Sequence, residues 1–322
     1  MQFQLGIPNL LWDHNPSQGS EYTMDIFLQQ VINALIVGTF YGLIALGYSM
    51  VYGIIRLLNF AHGDLFMLGA FAGFSVLSLF SGEAGFIGIG LALIVSILIV
   101  GLIGLGVERV AYRPLIKKKS PKLNLLITAV GVSLAIEYAV MLSYGPSFRV
   151  YPIQLPNTGF HIGDVKITYV QLGIILFTIL IMIILQLFIH KSIYGKAMRS
   201  IAIDDVATSL MGIPVHRFIG LTFFIGSGLA AVAGVMDGIY YGQINFLMGF
   251  LFGLKAFTAA VIGGIGSVNG AMLGGLILGI VETLGTVYVG GEWKDVFAFG
   301  ILILFLVLKP TGLLGEAVNE RV

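Results

Sequence analysis

Residues 190–216, HKSIYGKAMRSIAIDDVATSLMGIPVH, set a short polar helix with its own start and stop signals between two long apolar runs. Asp204 suits an N-cap, Val206, Ala207, Leu210 and Met211 repeat at helical spacing as an apolar stripe, and Gly212 with Pro214 ends the turn. A helix this short is marginal in water, so its stripe calls for a partner surface. A membrane subunit pushed from one side of the bilayer needs such a lever.

The rest of the chain gives that lever its setting. Of 322 residues 57% are hydrophobic and only 10% are charged, against roughly 25% charged in an average soluble domain. Such a chain cannot cover its surface in water, and lipid is its main solvent. Glycine, 44 residues in all, recurs at GxxxG spacing: Gly38 and Gly42; Gly234, Gly238 and Gly242; Gly266, Gly270 and Gly274. The plain reading of these positions is close helix packing. Cysteine is absent, which excludes disulfides and thiolate chemistry, and the net charge of +1 argues against a nucleic-acid partner.

Apolar runs extend over 26–55, 65–80, 86–107, 123–142, 169–189, 218–236, 250–265, 271–289 and 296–308. Three are short for a helix of about 20 residues, so the expectation is an all-α polytopic membrane protein with about nine crossings, eight to ten, some of them broken or re-entrant. Charge bias orients them. With Arg109, Arg113, Lys117, Lys118, Lys119 and Lys122 on the cytoplasmic side, Arg56, Lys191, Lys196, Arg199, Arg217, Lys309 and Arg321 join them, 13 of the 17 Lys and Arg. Arg149, Lys166 and Lys294 then fall outside and Lys255 within the membrane. This places the N-terminus outside and the C-terminus in the cytoplasm.

Residues 1–23 carry no Lys or Arg and so lack the basic region of a secretory signal. Leu5, Ile7, Leu10, Leu11 and Trp12 suit an external interfacial segment, and Met24 offers an alternative start. Residues 24–310 then form one transmembrane domain and 311–322 a cytoplasmic tail. The outer loop 144–168 is too small for a domain, and alternation over 165–169 suggests a hairpin.

No catalytic constellation is present: GxxxxGK[ST], HExxH and GxSxG are all missing, and His14, His62, His161, His190 and His216 lack metal-ligand spacing. The chain reads as a non-enzyme needing no cofactor or metal. Two polar interruptions are the candidates for a solute path. The first, LLNFAHGDLFMLG, holds Asn59, His62 and Asp64; it is either an inner-face turn with Asp64 capping the next helix or a broken helix beside the path. The second, INFLMGFLFGLKAF, holds Asn245 and Lys255 and echoes the first, Leu58-Asn59-Phe60 matching Ile244-Asn245-Phe246 and Ala70-Phe71 matching Ala256-Phe257. On the assigned orientation they lie on opposite sides of the membrane, as inverted repeats require.

Lys255 and Glu282 are the ionisable residues deepest in the apolar runs and are expected to pair or to share a cavity, either as a static brace or as part of the path. Glu137 is placed near the outer interface. Glycines in 259–275, AAVIGGIGSVNGAMLGG, argue for a tight turn between two helices.

Several blocks, LIALGYSMVYGIIRLLNFAHGDLFMLGAF, ERVAYRPL, DDVATSLMGIPVHR, KAFTAAVIGGIGSVNGAMLGGLILGIVETL and KPTGLLG, together resemble the inner-membrane permease subunits of bacterial ABC importers for branched-chain amino acids. FAHG alone marks only a wider group that includes urea and short-chain amide permeases. The resemblance implies an all-helical bundle with broken helices, a second homologous permease, two cytoplasmic ABC ATPase subunits and an extracytoplasmic substrate-binding protein. It also implies that a coupling helix within 200–214 fits a cleft in the ATPase, with Asp204, Asp205, Leu210, Met211 and Gly212 in contact. Asn59, His62, Asn245, Lys255 and Glu282 remain the path candidates. An ion-coupled secondary transporter and a urea or short-amide permease stand as alternatives.

Overall fold

Every apolar run becomes a helix in a computed structural model, which describes residues 16–56, 58–80, 85–153, 158–162 and 165–315. The proposed interfacial stretch 5–12 and the end of the tail, 316–322, lie outside the described residues. In order the helices are α1 (Pro16–Ile55), α2 (His62–Ser78), α3 (Gly85–Val107), α4 (Arg113–Lys117), α5 (Lys122–Tyr144), α6 (Tyr169–Lys191), α7 (Ile193–Ile203), α8 (Asp205–Leu210), α9 (Val215–Tyr241), α10 (Met248–Gly263), α11 (Val268–Tyr288) and α12 (Lys294–Leu308). Short strands β1 (Arg149–Val150), β2 (Gly159–Ile162), β3 (Val165–Thr168) and β4 (Gln243–Ile244) decorate one end.

Length divides these helices. Six among the described residues are long and apolar enough to cross a membrane: the 26–55 part of α1, the 85–117 segment that begins as α3, then α5, α6, α9 and α11. Helices α2, α10 and α12, with 17, 16 and 15 residues, reach about 22–26 Å, short of a hydrocarbon core of about 30 Å. The expected nine crossings thus resolve into six full-length helices and three short ones. The physical reason is visible in α2, whose first turn is buried rather than set at a surface.

The most hydrophobic window of α1 is 94% buried, against 33%, 28% and 28% for those of the α3 segment, α5 and α6. Helix α1 is therefore the axis of the bundle and the other three form its rim. It runs antiparallel to α11, backbone against backbone: a methyl at Gly38 would meet the backbone of Gly275 and Leu276, and one at Gly279 would meet Gly38. Packing is thus what the glycine spacing at Gly38 and Gly42 provides. The glycine-rich 259–275 segment turns as expected. Helix α10 stops at Gly263, Gly264 adopts φ of +104°, and the Ser267 hydroxyl caps α11 by accepting from the Gly270 N–H at 3.1 Å.

The expected hairpin exists as antiparallel β2–β3, and Thr168 begins α6 through a capping box with Gln171. Strand β1 also pairs with β4, a long-range contact that local pattern does not encode. The two ends of α1 identify the two ends of the bundle. Gln29 accepts from the Lys166 N–H at 3.0 Å, whereas the Arg56 guanidinium donates to the Ala202 carbonyl at 3.3 Å.

Candidate functional site: a buried joint, an ion cluster and a loop helix

Between α1 and α2 the chain turns inside the protein. Asn59, His62 and Asp64 are 2%, 1% and 1% exposed. The Asn59 side-chain carbonyl accepts from the Ala61 N–H at 3.1 Å and from the Tyr112 hydroxyl at 2.8 Å, while its backbone carbonyl accepts from the His62 N–H at 3.0 Å. Asn59 therefore builds the turn. Asp64 does not cap α2: the N-cap position is Ala61, and Asp64 Oδ2 instead accepts from the Ser133 hydroxyl at 2.5 Å. His62 meets the ring of Tyr48 edge-on at 4.6 Å. Glu137, one helical turn beyond Ser133, is also buried.

The second interruption repeats the first in detail. The Asn245 side-chain carbonyl accepts from the Leu247 N–H at 2.8 Å, and its backbone carbonyl from the Met248 N–H at 3.2 Å, just before α10 begins. Four residues after each asparagine stands a glycine, Gly63 and Gly249, and these two pack against each other: a methyl at Gly63 would strike the Gly249 carbonyl, and one at Gly249 would lie 3.0 Å from the Gly63 carbonyl. The two helix starts meet at this glycine joint although the chain reaches them from different ends of the bundle, one turn following Arg56, which bonds Ala202, and the other following β4, which pairs with β1.

Lys255 and Glu282 form the expected pair, Nζ to Oε1 at 3.1 Å. It is part of a larger cluster. Lys255 Nζ also lies 2.7 Å from Asp295 Oδ1, Lys294 Nζ lies 3.1 Å from Glu282 Oε1, and the Tyr41 hydroxyl is 3.0 and 2.9 Å from the two Glu282 oxygens. Two ammonium groups and two carboxylates balance to zero, which is what lets Lys255 and Glu282 sit almost wholly buried. Sequence reasoning missed Tyr41, Lys294 and Asp295, which join only when α1 and α12 close around α10 and α11. It also missed Asp237, 2% exposed in α9, whose Oδ1 has no hydrogen-bond partner among the described residues. A lone carboxylate at the end of an apolar run was the available signal.

The 190–216 stretch forms two helices rather than one. Asp204 ends α7, and its side chain accepts from the Ala207 N–H at 2.8 Å to begin the six-residue α8. Gly212 takes φ of +84° two residues past its end. Asp205 is exposed in the first turn, and Val206, Leu210 and Met211 are 66%, 84% and 82% exposed. Three large apolar side chains thus project from a loop helix with none of the described residues over them.

The sequence matches the model of the family described as branched-chain amino acid transport system / permease component over residues 30–306. It is 46% identical over 305 residues to the high-affinity branched-chain amino acid transport system permease protein BraD of Pseudomonas aeruginosa, covering 92% of this chain and 98% of the relative. It is 44% identical over 304 residues to the corresponding protein LivH of Escherichia coli K12, with the same two coverages. A probable branched-chain amino acid transport permease protein LivH of Methanocaldococcus jannaschii is 28% identical over 295 residues, 88% of this chain and 90% of the relative.

Proposed function

The chain belongs to the family of branched-chain amino acid transport system permease components, and from that premise we propose that it forms the translocation path of an ATP-driven importer for branched-chain or other hydrophobic amino acids. It is a transport permease of an ABC importer and not an enzyme. ATP is hydrolysed by separate subunits. It is a multi-pass protein of the inner membrane, with the N-terminus outside and the C-terminus in the cytoplasm. Two ABC ATPase subunits bind the cytoplasmic side, a second homologous permease completes the path, and an extracytoplasmic binding protein delivers the solute.

The single observation that carries the coupling role is the exposed apolar face of α8, framed by the Asp204 cap and the Gly212 stop. In this reading Asp204, Asp205, Leu210, Met211 and Gly212 meet the ATPase, whose nucleotide-bound and empty states hold α8 in different positions and so favour different openings of the bundle. Asn59, His62, Asn245, Lys255 and Glu282 face the path. Proteoliposomes containing the chain, its ATPases, the second permease and the binding protein should accumulate leucine only with ATP. Accumulation by the chain alone on a proton or sodium gradient would overturn the reading, and preference for urea or short amides would move the substrate class. Leu210→Arg should lower co-purification of the ATPases about tenfold, as loss of a central apolar contact does.

A further inference from the structure

Between α3 and α4 the helix widens into a π turn, Glu108–Tyr112, where the Arg113 N–H reaches back to the Glu108 carbonyl. Positions five apart face about 140° away from each other on an α-helix. The wider turn brings them together. Arg113 Nε and Nη2 donate to the two Glu108 oxygens at 2.9 and 2.6 Å, a bidentate pair whose carboxylate is only 1% exposed. The same turn aims Tyr112, 0% exposed, at Asn59. Wide turns of this kind cost backbone regularity and recur where a protein needs a side chain re-aimed.

The clamp touches both sides of the machinery already described. Arg113 Nη2 also donates to the His216 carbonyl at 3.3 Å, in the first turn of α9, six residues past the end of α8. On the other flank of α8, Arg56, held at φ of +52° between α1 and the Asn59 turn, donates to the Ala202 carbonyl at 3.3 Å. Both flanks of α8 are thus gripped by arginines that belong to the walls of the Asn59 turn. A cleft of about 620 Å³ lined by Arg113, Asp205, Val206, Leu210 and His216 separates α8 from the clamp, leaving it room to shift.

We infer that the Glu108–Arg113 clamp and Tyr112 are positioning residues that convert movement of α8 into movement of the Asn59 joint at the start of α2. The inference rests on α8 being the ATPase contact. The linkage is through three polar contacts in series: His216 carbonyl to Arg113, Arg113 to Glu108 in the π turn, and Tyr112 of that turn to Asn59. Removing any of them leaves α8 and the joint each intact but no longer in step.

The test uses the full complex in proteoliposomes and reads leucine moved per ATP hydrolysed. Tyr112→Phe keeps the ring against Phe223 and removes only the hydroxyl. Glu108→Gln with Arg113→Gln removes both charges at once, so that no unpaired buried charge remains. Both should retain the ATPases and hydrolyse ATP at near the parent rate, while leucine per ATP falls by about tenfold, the scale of a broken coupling contact. An unchanged ratio in both variants overturns the inference while leaving α8 as the docking element. Failure of the unaltered chain to bind the ATPases would instead remove the docking reading and the inference with it.

Discussion

The turns at Asn59 and Asn245 are made by the same hydrogen bonds and end in glycines that touch, yet they sit in different surroundings. Asn59 is buried and takes a third bond from Tyr112; Asn245 is half-buried and is followed by Leu247 at 51% exposure. Ten residues beyond each asparagine the contrast sharpens. Gly69 presses against the backbone of Ala231 in α9, whereas Lys255 enters the ion cluster with Glu282 and Asp295. Similar local sequence thus makes similar local geometry, while the surroundings differ: the first turn is bonded to Tyr112 of the π turn and the second leads into a buried ion cluster.

The strongest way to break the comparison is at its shared point. Gly63→Val places a branched side chain into the Gly249 and Gly253 backbone, which cannot yield as a side chain would. Loss of monodisperse protein on size exclusion is the expected result, and a well-behaved variant would mean that the two helix starts do not meet. Next in size is Lys255→Met, which strands part of a buried charge system and should cost about 3 kcal/mol in thermal unfolding in detergent. The value sits at the lower end for such losses because Lys294 and Tyr41 still partner Glu282. Exchanging the charges, Lys255→Glu with Glu282→Lys, should not restore stability, since the new lysine meets Lys294 and the new glutamate meets Asp295. Restoration should require Lys294→Gln and Asp295→Asn as well.

The asparagines themselves should differ by a smaller margin. Asn59→Ala leaves a buried N–H and the Tyr112 hydroxyl without their acceptor, a loss of about 2 kcal/mol, whereas Asn245→Ala costs about 1 kcal/mol or less because the bond it removes is exposed. Equal shifts in melting temperature for the two would show that burial does not distinguish them.

What was legible in the residues follows the same division. The start and stop of α8 at Asp204 and Gly212 were readable because capping is settled within a few residues. So were the apolar runs, the β2–β3 hairpin and the Gly264 turn. The pairing of Lys255 with Glu282 was readable for a different reason: an isolated buried charge requires an opposite one, and few were available. The role of ERVAYRPL was not, since an α-helical register points Glu108 and Arg113 apart and only the π turn unites them. Nor was the meeting of Gly63 with Gly249, which equal spacing from the two asparagines hinted at but did not require.

By itself the amino-acid order determined that this is a lipid-embedded helical chain with a capped loop helix and a Lys255–Glu282 pair, because hydropathy, capping and charge balance act over a turn or two of helix or on composition alone. Tertiary structure alone decided that α1 is the axis, that α2 and α10 start from touching glycines, and that Tyr112 reaches Asn59. Those outcomes depend on which backbones approach closely enough to exclude a methyl group, and that is set by the packing of whole helices rather than by the residues adjacent in sequence.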